Sequence, residues 1–276
     1  MTVATKRPGR RLSRLPANVL SNGLPTRVIF ALLLLGSLAP RLHAAEATSS
    51  DRTVFALGLV SLPKYEGSAQ REEKILPLPS MRRGRWSLGF IEGVHYNLSG
   101  NRDIQHGPQL AYSFGRDEND AAILQGMGDI DSGLTLGYIL RFPVDAFKLG
   151  IGYHQATAKN ARGSRVELRG GYDYPLSAQH ILGVGLSAGW VDSRYAENYF
   201  SVSESQAMNS ALPVYTAKAG FKKLGVELKW TYLIDRQWFG LVRFTGSRLV
   251  GSIADSPIVE SKSQQMAMFL LGYNFE

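Results

Sequence analysis

The sequence predicts an all-β fold: a transmembrane antiparallel β-barrel of about 12 strands, following an N-terminal signal peptide. Three observations predict it. From residue 45 onward apolar and polar residues alternate with a period of two, segment after segment, which is the mark of strands with one apolar face. The segments run about 10–13 residues, whereas strands of soluble sheets average about 5–6. Aromatic residues gather near segment ends, at Trp86, Tyr96, Tyr112, Tyr153, Tyr172, Tyr174, Trp190, Trp230, Tyr232, Trp238 and Tyr273, as the interface girdles of a membrane barrel require.

The first 44 residues read differently. Lys6, Arg7, Arg10, Arg11, Arg14, Arg27 and Arg41 form a basic leader without acids. It surrounds the apolar run VIFALLLLGSLA at 28–39, which is too short for a spanning helix of about 20 residues. With Leu42-His43-Ala44 before Ala45, the layout is that of a secretory signal over 1–44, leaving 45–276 as the mature domain. An Arg-rich, acid-free leader also suits a mitochondrial transit peptide, but the strong apolar run favours secretion. The formal charge of +8 is mostly leader: beyond it, 24 basic face 23 acidic residues. A nucleic-acid-binding domain needs a basic surface, so that class is set aside. The absence of Cys excludes a disulfide scaffold, a thiolate metal site and a Cys nucleophile.

Strands are expected at 53–61, 74–81, 85–98, 104–115, 132–142, 146–157, 164–175, 180–191, 214–221, 224–234, 237–249 and 264–275. The clearest alternations are Phe147/Leu149/Ile151/Tyr153, Leu182/Val184/Leu186/Ala188/Trp190 and Leu224/Val226/Leu228/Trp230/Tyr232. Glycines crowd the opposite face, where a small barrel needs room. Glu92 breaks the pattern: it shares the phase of Leu88, Phe90 and Val94, and a bulge at Gly93 would turn it from the lipid. Long connections fall at 62–73, 116–131, 192–213 and 250–263. With a periplasmic C-terminus, counting hairpins backwards puts 116–131 and 192–213 on the periplasmic side, where barrels usually keep short turns.

Several sites carry a resemblance. They are Leu62-Pro63-Lys64-Tyr65-Glu66-Gly67-Ser68 with Pro77 and Pro79 after it, Gly107-Pro108, Gly115-Arg116, and Leu124, Gly126, Gly128, Asp129 and Ile130. The longest is Trp190, Asp192, Tyr195, Tyr199, Phe200, Val202, Gln206, Ala207, Ser210, Leu212 and Tyr215; Asp255-Ser256-Pro257-Ile258-Val259 and Tyr273-Asn274-Phe275 complete the set. In this order they resemble the MltA-interacting protein (MipA/OmpV) family of Gram-negative outer-membrane proteins. Ser201 departs from the family, which usually has Gly after Tyr-Phe. The resemblance implies an outer-membrane scaffold joining a lytic transglycosylase to a penicillin-binding synthase in peptidoglycan remodelling. A small-solute channel and a surface adhesin are the alternatives. It makes Tyr65, Glu66, Asp192, Tyr199, Phe200 and Asp255 the candidates for partner contact or loop organisation. The ladder Phe269, Leu271, Tyr273 and Phe275 is the expected signal to the barrel-assembly machinery.

No cofactor, metal or catalytic group is expected. His95, His106, His154 and His180 lie on four different segments without ligand spacing. A barrel phospholipase would need a Ser beside a lipid-facing His, and none stands out for His106. Gly126-x-Gly128 lacks the Lys-Ser/Thr of a phosphate loop. Arg85, Arg165, Glu167, Arg169, Glu227, Lys229 and Arg243 are expected to line the lumen, either as an anion-attracting filter or as mutual ion pairs.

Overall fold

Alternation sends every second side chain to lipid and the rest to the lumen, and a closed ring of such strands leaves no backbone edge in the hydrocarbon. The computed structural model describes residues 51–99, 104–144, 147–159 and 161–275; the signal peptide expected over 1–44 lies outside them. The chain forms β1 (Arg52–Pro63), β2 (Arg71–Arg83), β3 (Trp86–Gly89), β4 (Gly93–Tyr96), β5 (Gln105–Ser113) and β6 (Gly133–Val144). It continues through β7 (Phe147–Ala156), β8 (Gly163–Pro175), β9 (His180–Val191), β10 (Gly220–Leu233), β11 (Trp238–Leu249) and β12 (Ser263–Phe275). Each pairs antiparallel with its sequence neighbour, and β1 closes on β12 with Thr53 opposite Phe275 and Ser61 opposite Ala267. Phe55, Leu57 and Leu59 of β1 point outward while Ala56 and Val60 are buried in the lumen.

The closed barrel of 12 strands agrees with the expectation, but two strands are not those expected. The segment 85–98 is not one strand with a bulge. It is a low hairpin: β3 and β4, four residues each, reverse through Phe90–Glu92. Gly93 makes the reversal possible, since its φ is +74° and a Cβ there would lie 2.1 Å from the Leu110 carbonyl oxygen. Glu92 therefore leaves the lipid phase and meets Arg141 at 2.9 Å. Conversely, 214–221 is not a strand and 222–223 is not a turn. β10 begins at Gly220 and runs straight through 222–223, with a β-bulge between Phe221 and Lys223. A phase slip of one residue has two physical solutions, a reversal or a bulge, and here each was found where the other was expected.

Above the hairpin, Arg71–Leu78 of β2 have no strand partner on that edge among the described residues. The Pro79 carbonyl accepts a hydrogen bond from Phe90 N–H on this side, so Pro79 and Pro77 present rings where an orphan N–H would otherwise face the membrane. That accounts for both prolines.

The two corrections also correct the sidedness. The three longest connections, 114–132, 192–219 and 250–262, share one end of the barrel with 64–70 and 157–162. The short turns 84–85, 176–179 and 234–237 share the other, together with Arg52 and Phe275. Segments 116–131 and 192–213 thus join 250–262 at the loop end, as the usual arrangement of membrane barrels demands. Three helices lie there: α1 (Ser193–Phe200), α2 (Glu204–Asn209) and α3 (Gly251–Ala254). With no native Cys, the arrangement is checked by single substitutions Met208→Cys in α2 and Arg236→Cys in a short turn. A membrane-impermeant maleimide on intact cells will label the first, and the second only after the outer membrane is permeabilised. Equal labelling of both would contradict the shared loop end.

Candidate functional site

The bulge in β10 changes what the strand offers the lumen. Phe221 lies opposite Trp190 and Lys223 opposite Gly189, so Lys222 is the extra residue. Phe221 and Leu224 both point out, and the two lysines between them both point in. Lys222 is only 4% exposed. Its Nζ donates to Glu66 Oε2 at 2.7 Å and to the Tyr195 hydroxyl at 3.2 Å, and sits 4.8 Å from the Tyr195 ring centre. Lys223 reaches the other Glu66 oxygen at 3.3 Å. Burial by itself would push the Glu66 carboxyl up, but the charges and hydrogen bonds of Lys222 and Lys223 outweigh it and bring it down to about 2. The loop after β1 is thereby tied to a strand three places round the ring.

Over this pair the loops build a hydrophobic core. The Asp192 carboxylate caps α1, accepting from Tyr195 N–H at 2.8 Å, and also accepts from the Ser164 hydroxyl of β8 at 2.8 Å. So anchored, α1 turns Tyr195, Ala196 and Phe200 inward. Phe200 packs in one cluster with Leu124, Val202, Ile253 and Ile258, all fully buried. Polar side chains hold the layers together. The Tyr65 hydroxyl donates to the Ile258 carbonyl at 2.9 Å, Arg116 donates to the Tyr199 carbonyl at 2.8 Å, and Gln206 of α2 donates to the Met127 carbonyl at 2.7 Å. Gly126 (φ +83°) lies so close to Asn209 that a Cβ would meet its carbonyl oxygen at 2.2 Å. Ser201, the departure from the family pattern, accepts a hydrogen bond from Ala217 N–H at 2.9 Å. Burial, with the nearby Glu260 carboxylate, raises the Tyr65 hydroxyl, burial raises that of Tyr195, and burial lowers the Arg116 guanidinium. The result is a cap across the loop end.

The candidate contact residues are therefore mostly interior. Tyr65 and Phe200 are buried, Glu66 lies under the cap, Asp192 caps α1, and Tyr199 stacks on Tyr195 with ring centres 4.3 Å apart. Asp255 is exposed and pairs with Lys262 at 2.8 Å. Sequence reasoning missed Lys222 and Glu260, and named Arg116 only within the Gly115-Arg116 match. The signal for Lys222 was present, as the slip between Phe221 and Leu224.

Below the cap ion pairs run along the lumen wall between the same or nearby strands. Asp173 holds Lys148 and, at 2.7 Å, Lys229. Glu167 lies between Arg169 and Arg165, the latter at 3.7 Å. Glu227 faces Arg243 at 3.7 Å. Arg85 is not on the lumen wall; the reversal at β3 places it in the turn after β2, on the rim. Phe269, Leu271, Tyr273 and Phe275 form one outward ladder on β12, with Tyr273 packed edge-on against Trp238. His106 shares a 2.7 Å hydrogen bond with the Tyr138 hydroxyl, and His180 stacks on Trp230 and Tyr232.

The family described as "MltA-interacting protein MipA" matches residues 55–275. No curated protein sequence matches. Among solved structures, the chain is similar to a KdgM porin (TM-score 0.41, 10% identity, covering 81% of this chain and 99% of that one). It is also similar to a NanC porin (0.44, 9%, 80% and 98%) and to a CymD monoaromatic hydrocarbon channel (0.42, 12%, 83% and 89%).

The cap geometry has an acid-dependent consequence. The Glu66 carboxyl is held at about 2 against an ordinary 4.5. A group whose value is depressed by folding contributes its stabilisation fully above the ordinary value and loses it as pH falls towards the depressed one. Pepsin cleavage within 193–219 will therefore set in between about pH 4.5 and 2, and Glu66→Gln will be cleaved already at the upper limit. Phe200→Ala, which empties the centre of the cluster, will destabilise the cap by about 3–5 kcal/mol in urea titrations of the same cleavage.

Proposed function

The chain belongs to the MltA-interacting protein family, and from that premise we propose that it is a scaffold of the outer membrane whose turn end docks a lytic transglycosylase and links it to a penicillin-binding synthase. The observation that carries this reading is the capped lumen: the Lys222–Glu66 tie and the apolar cluster over it close the loop end of the barrel. What such a barrel offers a partner is its surface rather than a passage. The barrel fold supports location in the outer membrane, where short turns face the periplasm and long loops the outside. A murein-processing enzyme works on the periplasmic side and so meets the turn end. The cap residues that carry the family signature act there at a distance, by keeping the barrel shut and rigid. The rim of the turn end carries Arg83, Arg85 and Arg236 in its turns and strand ends, which favours an acidic face on the partner.

The test is surface plasmon resonance between the refolded mature chain in lipid nanodiscs and a soluble MltA-type transglycosylase. Saturable binding is expected, weakened about tenfold or more by the combined change Arg83→Glu, Arg85→Glu and Arg236→Glu, and unchanged by Arg194→Glu on the outer surface of the cap. No binding, or binding lost only through Arg194→Glu, would refute the proposal.

A further inference from the structure

Towards the turn end the lumen retains a cavity of about 600 Å3. Among the described residues its wall carries four arginines, Arg52, Arg82, Arg141 and Arg243, and His95, but a single carboxylate, Glu92. That carboxylate is already held by Arg141 at 2.9 Å. Arg52 donates to the neutral Asn274 side chain at 2.9 Å. Arg243 approaches Glu227 only to 3.7 Å, and its buried Nε has no hydrogen-bond partner among the described residues. The Arg82 side chain has no carboxylate partner among them either. His95 is 5% exposed, and its Nε2 is likewise without a partner.

Elsewhere on the lumen wall, Asp173 and Glu167 each hold two cations. In this cavity four guanidinium groups share one carboxylate among the described residues. Cations gathered in a protein-walled cavity repel one another, and field lines confined by the wall draw in counter-ions. The planar guanidinium fork matches the paired oxygens of a carboxylate or a phosphate. The volume lies within the range of about 300–1,000 Å3 that suits small ligands. The cap closes the far end, which leaves the turn end as the way in.

We propose that this cavity is a binding site for a small oxyanion, carboxylate or phosphate, entering from the turn end, with Arg82 and Arg243 as its principal donors and His95 Nε2 as a third polar contact. The site is separate from partner docking: it uses lumen-facing side chains, not the rim residues of the turns.

Isothermal titration of the refolded mature chain in low salt with inorganic phosphate and, separately, with glucuronate tests the proposal; glucose is the uncharged control. Saturable binding of at least one anion at concentrations up to about 10 mM is expected, and the better ligand identifies the oxyanion. Arg82→Gln and Arg243→Gln will each weaken it about tenfold or more, Arg243→Lys will weaken it less, and Arg194→Gln on the cap will leave it unchanged. Heat-shifted electrophoretic mobility will show that each variant is folded. Failure of both anions to bind the wild-type barrel, binding of glucose to the same extent, or undiminished binding by folded Arg82→Gln and Arg243→Gln would overturn the site.

Discussion

A β-strand in a barrel wall can turn only alternate side chains to the lumen, and the cap exists because β10 escapes that constraint once. The bulge between Phe221 and Lys223 delivers two consecutive lysines to the same side. Both are taken by one carboxylate, Glu66, on the loop after β1. A buried Lys222 without that carboxylate would be an uncompensated charge under an apolar cluster, a costly arrangement. A Glu66 without the lysines would be free to swing out with its loop. The pair fixes the loop, the loop positions Tyr65 against Ile258, and Tyr195, packed over Lys222, brings α1 down onto the same floor. The apolar centre of this protein is thus not inside the barrel, where ion pairs and glycines predominate, but across one mouth of it.

That placement organises the remainder. The wall is apolar outward and polar inward, so the barrel gains little packing energy from its own bore. Charge pairs at Asp173, Glu167 and Glu227 instead tie residues of the same or nearby strands along the lumen wall. The cap supplies the one region where fully buried Phe, Leu, Ile and Val side chains from several connections interdigitate. The two ends consequently differ in kind. One is closed, aromatic and tied by hydrogen bonds between loops; the other is an open, arginine-lined cup with short turns around it. The proposed docking at the turn end and the proposed oxyanion site in the cup both rest on this asymmetry.

Much of the wall was legible in the sequence, because period-two alternation is a local pattern and each outward ladder, such as Phe269 to Phe275, can be read without knowing its neighbours. Sidedness was not legible, because it depends on how two phase slips are resolved. At Glu92–Gly93 the chain reverses; at Phe221–Lys223 it continues. Each slip changes the pattern in the same way, and only the partners across the sheet decide: Leu110 presses on Gly93, while Gly189 and Trp190 run alongside the bulge. Exchanging the two outcomes preserves the number of strands yet inverts every connection between them. The signature residues were legible as a set, but not their role. Phe200 and Tyr199 looked suited to a partner's surface; they are instead buried or stacked within the cap, against Leu124 and Tyr195, because four connections distant in sequence converge there.

The central claim is that the cap closes the bore. Single-channel recording of the refolded mature chain in a planar bilayer tests it most directly, with folding confirmed by heat-shifted mobility. A folded protein that leaves the bilayer electrically silent is the predicted result. Steady, reproducible conductance from the folded wild-type chain would contradict the account and return the lumen charges to the role of a filter.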